Sequence, residues 1–282
     1  MTTENIASRC MLAYLSISQW SARKLDKSAT NEVTANHAAS ADAGRFNKQT
    51  IPKEALLPIQ QIASQARLYL YDHTLPWSDN GDRALSSELY FDVMQRLSYY
   101  QTEFNAEVDE FCKNYNQHRE RARLKLNSLF KDSDYPSEHE VRSKFNFEFG
   151  VMPLPTASDF RVAMADDVAE EVRQKIQSQL DARVNTMMGD VWTQLGDALS
   201  HLRDRLQSSG KLFDSTLTNV LELLSRLPGL NITNDADLER MRVEIASALQ
   251  GLSMKDIKKD EQLRKAVAEK ADDIMRQMAG LV

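Results

Sequence analysis

Residues 86–130, SSELYFDVMQRLSYYQTEFNAEVDEFCKNYNQHRERARLKLNSLF, decide the fold. Read at steps of three and four, Val93, Leu97, Tyr100, Phe104, Val108, Phe111, Tyr115, His118, Ala122, Leu126 and Leu129 form one stripe, and neither Pro nor Gly interrupts it. Such spacing gathers the apolar side chains on one face of a helix. The stretch therefore predicts one unbroken helix of about 45 residues, on the order of 65 Å long at the standard rise. That length outruns a globular core, so the helix projects and needs a partner along its stripe.

Downstream, residues 131–138 (KDSDYPSE) stop the helix with Asp, Ser and Pro136, and the period changes. Phe145, Phe147, Phe149 and Val151 alternate with Asn146, Glu148 and Gly150, the pattern of a half-buried strand. After the Pro-bounded MPLPTAS, Phe160, Val162 and Met164 alternate again, which predicts a β-hairpin at about 143–164. Asp166 or Asp167, with Glu170 as capping-box partner, then opens a second long helix. Its stripe runs from Val172 through Leu180, Val184, Met187, Val191, Leu195 and Leu202 to Leu206. The expected fold is mainly α: a long antiparallel helical hairpin, coiled-coil-like but weakly supercoiled, with a small antiparallel β-sheet near its turn and a base of shorter helices.

The flanks supply that base. CMLAYLSIS (10–18) alternates as a strand, with a helical turn the competing reading, and is the candidate third partner for a hairpin that is rarely stable alone. A modest helix covers 28–39. Pro52 or Pro58 opens another, with Leu56, Ile59, Ile62, Ala63, Ala66 and Leu70 as its stripe. TLPWSDNG (74–81) is turn chemistry, and Ser86 or Ser87 can cap the long helix. After Ser208-Ser209-Gly210, helices are expected at about 213–227 (ended by Pro228-Gly229), 236–249 and 261–278. The expected organisation is 1–85 as strand and helices packing on the base, 86–207 as the long hairpin, and 208–282 as C-terminal helices.

Composition bounds the function. A chain of 282 residues with 42% hydrophobic and 27% charged residues, but only 9 Gly and 7 Pro, leans towards helix. The net charge of −6, with both signs mixed throughout, argues against a dedicated duplex-DNA binder. Two cysteines, Cys10 and Cys112, make no disulfide framework, so a reducing compartment is expected. MTTENIASRC lacks a secretion signal's basic and apolar regions, and no apolar run approaches the roughly 20 residues of a membrane helix. The reading is a protein of the bacterial cytoplasm.

Constellations of residues that could carry chemistry are sparse. Ser21-Ala-Arg-Lys24 with Ser78-Asp79-Asn80 matches the SxxK and SDN boxes of penicillin-recognising serine enzymes. No KTG-like box follows, and a turn is the simpler account of Ser78-Asp79-Asn80-Gly81. The five histidines are scattered, Glu138-His139-Glu140 reads as a solvated loop, and no phosphate-binding glycine loop occurs. Arg119, Arg121, Arg123 and Lys125 are the densest basic run, read first as a solvated face paired to Glu120. The aromatic hairpin, interleaved with Asn146 and Glu148, reads as a covered sheet face before any membrane tongue.

Five stretches together carry a resemblance: LSISQWSARKLDK (15–27), AGRFNK (43–48), TLPWSDNG (74–81), DYPSE (134–138) and PLPTASDFRV (153–162). Over nearly its full length the chain resembles an uncharacterised family, a domain of unknown function found in tailed phages, prophages and conjugative elements. Genes of that family often neighbour MoxR-type AAA+ ATPases and von Willebrand factor A-domain proteins of the cobalt-chelatase type, and in some elements recombination genes. The resemblance implies context and partners; it brings no catalytic residues.

Together these readings lead to a non-enzymatic helical adaptor or scaffold of a phage or mobile element, with no cofactor and no metal, working with such an ATPase and its von Willebrand factor A-domain partner. Trp20, Arg45, Phe46, Trp77 and Arg161 are the candidate partner-binding residues. The alternative is a nucleic-acid accessory factor in phage replication or recombination, using Arg119, Arg121, Arg123, Lys125, Arg142 and Lys144. Self-assembly through the rod is compatible with either.

Overall fold

Alternation in CMLAYLSIS does produce a strand, β1 (Cys10–Ser18), in a computed structural model that describes residues 6–78, 81–157, 166–208 and 212–280. The chain continues through β2 (Arg23–Leu25), α1 (Lys27–Asn36), β3 (Asn47–Gln49), α2 (Lys53–Asp72), β4 (Leu75–Pro76) and β5 (Arg83–Ser86). Next come α3 (Tyr90–Lys113), α4 (Tyr115–Leu126), α5 (Glu138–Arg142) and β6 (Asn146–Pro153). The remainder is helical: α6 (Asp166–Gln207), α7 (Ser215–Leu230), α8 (Ala236–Leu249), α9 (Met254–Lys259) and α10 (Glu261–Met278). The protein is thus mainly helical with a small antiparallel sheet of order β4-β5-β1-β6, so the strand at 10–18 is indeed a partner of the Phe145–Phe149 stretch. The second hairpin strand, expected at 160–164, and the capping side chains of Asp166 and Asp167 lie outside the described residues.

The chain divides into two compact units. The first comprises Met1–Tyr14, Tyr71–Val93 and Val151–Val282; the second comprises Leu15–Leu70 and Met94–Gly150.

In the first unit, β1 and β5 pair in antiparallel register, Cys10 opposite Ser86 and Leu12 opposite Ala84. The 42-residue α6 is the spine, and it packs on α10 and α7. Val191, Leu195 and Leu199 are essentially inaccessible, at the centre of a core of Leu, Ile, Val and Met. Asp235 ties two helices together: its Oδ1 accepts the Asp237 and Leu238 amides that open α8, while its Oδ2 accepts Trp192 Nε1 of α6 at 3.0 Å. Contrary to expectation, Pro228 does not end α7. Pro228 has no N–H to give the helical ladder, yet the helix runs two residues past it and closes at Asn231, whose N–H donates to Leu227 O at 2.9 Å. Gly229 is required there, since a Cβ would lie 2.3 Å from Leu89 Cδ1.

The main correction falls on a stretch that passes from the first unit into the second after Val93. The stretch at 86–130 is two helices, not one. Ser86 belongs to β5 rather than capping a helix, so helix begins at Tyr90. At Asn114 (φ −96°, ψ 6°) the chain breaks, and the side-chain Nδ2 donates back to Glu110 O at 2.9 Å. The backbone N–H of Asn114 still donates to the same carbonyl at 3.1 Å and its own carbonyl accepts the His118 N–H at 3.1 Å, so the interruption lies in the dihedrals of one residue. Asn127, at φ 49°, then ends α4 in the left-handed region. The stripe itself behaves as read: Val93, Leu97, Phe104 and Val108 are fully buried. Phe104 meets Phe147 and Phe145 at 5.5 and 6.5 Å between ring centres, so the aromatic strand face is covered. Pairing of the two long segments with each other is not confirmed; α6 finds its helix partners inside the first unit.

Candidate interaction surface

Two candidate residues of the second unit, Arg119 and Arg123, hold the loop at 127–137, and a buried lysine fastens that loop as well. In the β2–β3 ribbon Lys24 lies opposite Lys48. The Lys48 side chain turns inward, 2% exposed, where its Nζ meets Asp26 Oδ2 at 3.0 Å, Asp134 Oδ2 at 2.7 Å and Leu129 O at 2.6 Å. Asp26 is also the N-cap of α1, accepting the Ala29 amide. Lys48 and that amide hold the Asp26 carboxyl down at about 2. Burial alone would lower the Lys48 ammonium, but the two carboxylates outweigh it and raise it. One ammonium therefore fastens the ribbon, the start of α1 and the loop.

Arginines from α4 hold the same loop from the other side. Arg119 and Arg123 reach Asp132 Oδ1 at 2.6 and 3.2 Å, and Arg123 also pairs with Glu120 at 3.4 Å. Arg119 lies over the Tyr135 ring and Arg123 over Phe130, two rings stacked 4.8 Å apart. Tyr115 donates to Pro136 O at 2.9 Å, and burial pushes its phenol up to about 12. Trp20 packs on Phe111 and Tyr115, with His118 stacked on Phe111.

Of the basic candidates, Arg119, Arg123 and Arg142 are thus occupied by carboxylates, the last by Asp109 at 3.0 Å. Arg121, Lys125 and Lys144 are exposed. Among the partner-binding candidates, Trp20 belongs to the ring cluster, while Arg45 and Phe46 are exposed on the connector before β3. Trp77 is buried in the first unit, where Arg183 lies over its ring and donates to its carbonyl at 3.2 Å. Arg161 lies outside the described residues. Ser21 falls in the second unit and Ser78 in the first; Asp79 and Asn80 are outside the description. Glu138 and His139 line an open cleft of about 750 Å³ with Asp109, Cys112, Lys113 and Arg142. Among the described residues no three His, Cys, Asp or Glu are gathered to hold a metal ion, and no helix is long and apolar enough to cross a membrane.

Sequence reasoning missed one surface feature. Arg96, exposed on α3, lies 5.1 Å from the Tyr99 ring, 5.0 Å from Tyr100 and 5.9 Å from Tyr69 of α2. It makes no ion pair with a carboxylate among the described residues, and Tyr99 is 50% exposed. A guanidinium resting on three tyrosine rings is held in place yet keeps its donors free. The Tyr-Tyr pair at 99–100 beside Arg96, three and four positions on, was the available signal.

The family described as protein of unknown function (DUF3150) matches residues 7–271. The chain belongs to the DUF3150 family. No curated protein and no solved structure matches this DUF3150 chain.

Proposed function

We propose that this DUF3150 chain is a non-enzymatic helical adaptor of a phage or mobile element, acting with a MoxR-type AAA+ ATPase and a von Willebrand factor A-domain partner. The observation that carries the adaptor reading is the Arg96 cluster. Tyrosine and arginine dominate the binding energy of protein interfaces because they present large, stiff, amphipathic area with directional donors. Arg96 combines both, with its guanidinium left unpaired for a partner's carboxylate or carbonyl. The identity of the partners rests on the family resemblance alone. The clasp around Lys48 serves the same end by fixing the loop at 127–137 without a partner present.

Co-purification of the tagged chain with the ATPase encoded beside it tests the proposal. Capture is expected for the wild type, weakened about tenfold or more by Arg96→Ala, while Lys125→Ala leaves it unchanged. No capture with or without ATP overturns the reading.

A further inference from the structure

A groove of about 680 Å³ lies in the first unit between α7 and α9, and its floor and rim differ in chemistry. Leu217, Leu221 and Leu252 contribute apolar floor. Leu221 is 40% exposed, although its neighbours Leu217, Val220 and Leu224 on the same helix are buried. The other leucines of this helix are buried or nearly so, and Leu221 is left uncovered among the described residues.

The rim is basic in a chain whose net charge is −6. Lys255, Lys258 and Lys259 all line the groove. Lys258 is paired with Asp214 at 2.7 Å. Lys255 and Lys259 make no ion pair among the described residues, though both lie close enough to Asp256 to help lower its carboxyl. They sit four positions apart on α9, hence on one face of it. Two free ammonium groups beside an open leucine floor complement a ligand whose ridge is apolar and whose flank is acidic. Leucines at i, i+4 and i+7 of a helix present such a ridge, and glutamates beside it meet the lysines. The groove is concave, which suits a ridge better than a flat bilayer.

We infer that this groove receives an acidic amphipathic helix of a partner protein. The surface belongs to a different unit from Arg96 and needs no ATPase, so the adaptor proposal can fail while this one stands.

Fluorescence anisotropy on the full chain tests it, with a labelled helical peptide of about 18 residues, five turns, carrying Leu at i, i+4 and i+7 and Glu on its flanks. Binding is expected for this peptide and not for a control with Lys at every Glu position. The double variant Lys255→Glu/Lys259→Glu should weaken binding about tenfold or more, and added salt should weaken it further. Leu221→Asp should abolish it. Because Leu221 is only partly exposed, circular dichroism and the thermal midpoint accompany that variant; should it unfold, the lysine variant alone decides. Equal binding of both peptides, no binding, or indifference to the lysine reversal overturns the inference. So does self-association that Leu221→Asp removes in light scattering, which assigns the groove to a second copy. Sedimentation with phosphatidylglycerol vesicles in place of peptide binding overturns it in favour of a membrane surface.

Discussion

The two units solve the same problem with different materials. The first packs a 42-residue spine into aliphatic and methionine side chains, with single polar ties such as Trp192 to Asp235 between helices. The second relies on rings and charges: Phe104, Phe111, Phe145 and Phe147 in contact, and an ammonium shared by two carboxylates. Aliphatic contact is non-directional and tolerates exchange. A buried ion cluster tolerates no loss of a member, because the partners left behind stay charged without compensation. The second unit should therefore be the more brittle, and the more sensitive to acid.

Removing the shared ammonium is the hardest test. Lys48→Met should give the largest loss of stability at neutral pH, read as a shifted urea midpoint of the Trp20 signal in a Trp77→Phe/Trp192→Phe background. Its pH dependence should also change sign. In the wild type the Asp26 carboxyl is depressed from 3.8 to about 2, so its stabilisation is present above about pH 4 and is lost as pH falls through 2. Without Lys48, Asp26 loses the partner that chiefly holds its carboxyl down, and the variant's deficit should shrink on acidification. A deficit constant with pH would show that Lys48 acts through packing alone.

Phe104→Ala should cost about 3–5 kcal/mol, again in the Trp20 transition. Chains that keep Trp77 and Trp192 but carry Trp20→Phe should report a smaller shift for the first unit. Equal shifts would mean that the two units unfold as one, and the contrast drawn above would lose its energetic content. Gly229→Ala should cost about 1–3 kcal/mol by overpacking, and Leu89→Ala in the same chain should recover part of it by clearing the 2.3 Å collision. Least affected is Arg96→Ala, at less than about 1 kcal/mol, so a loss of partner capture there cannot be blamed on unfolding.

The contrast also explains what could be read from the residues in order. The boundaries of α8 and α10 were legible to the residue because Asp235 and Asp260 cap them a few positions away, within the window that periodicity surveys. β1 was legible for the same reason. The break at Asn114 was not, since asparagine is tolerated in helices and the interruption is a one-residue change of dihedrals that leaves the backbone bonds to Glu110 O and from His118 N–H in place. At Pro228 the lost donor did not stop the helix, which runs on to Leu230 with Leu227 and Leu230 buried. At the candidate surface the basic run was visible but its state was not: Asp132 reaches Arg119 across a loop whose course depends on Lys48, far upstream. Trp20 was read as a partner-binding candidate, while its packing against Phe111 and Tyr115 is a property of the folded unit.

Neither unit is a continuous piece of polypeptide. The chain changes allegiance after residues 14, 70, 93 and 150, and twice it does so within a single strand. On the ribosome the second unit has all its segments once residue 150 has emerged. Residues 10–13 find their strand partners at 83–86, but the rest of their unit, from residue 151 on, follows only after the whole second unit. No scissors placed at one peptide bond will release either half intact.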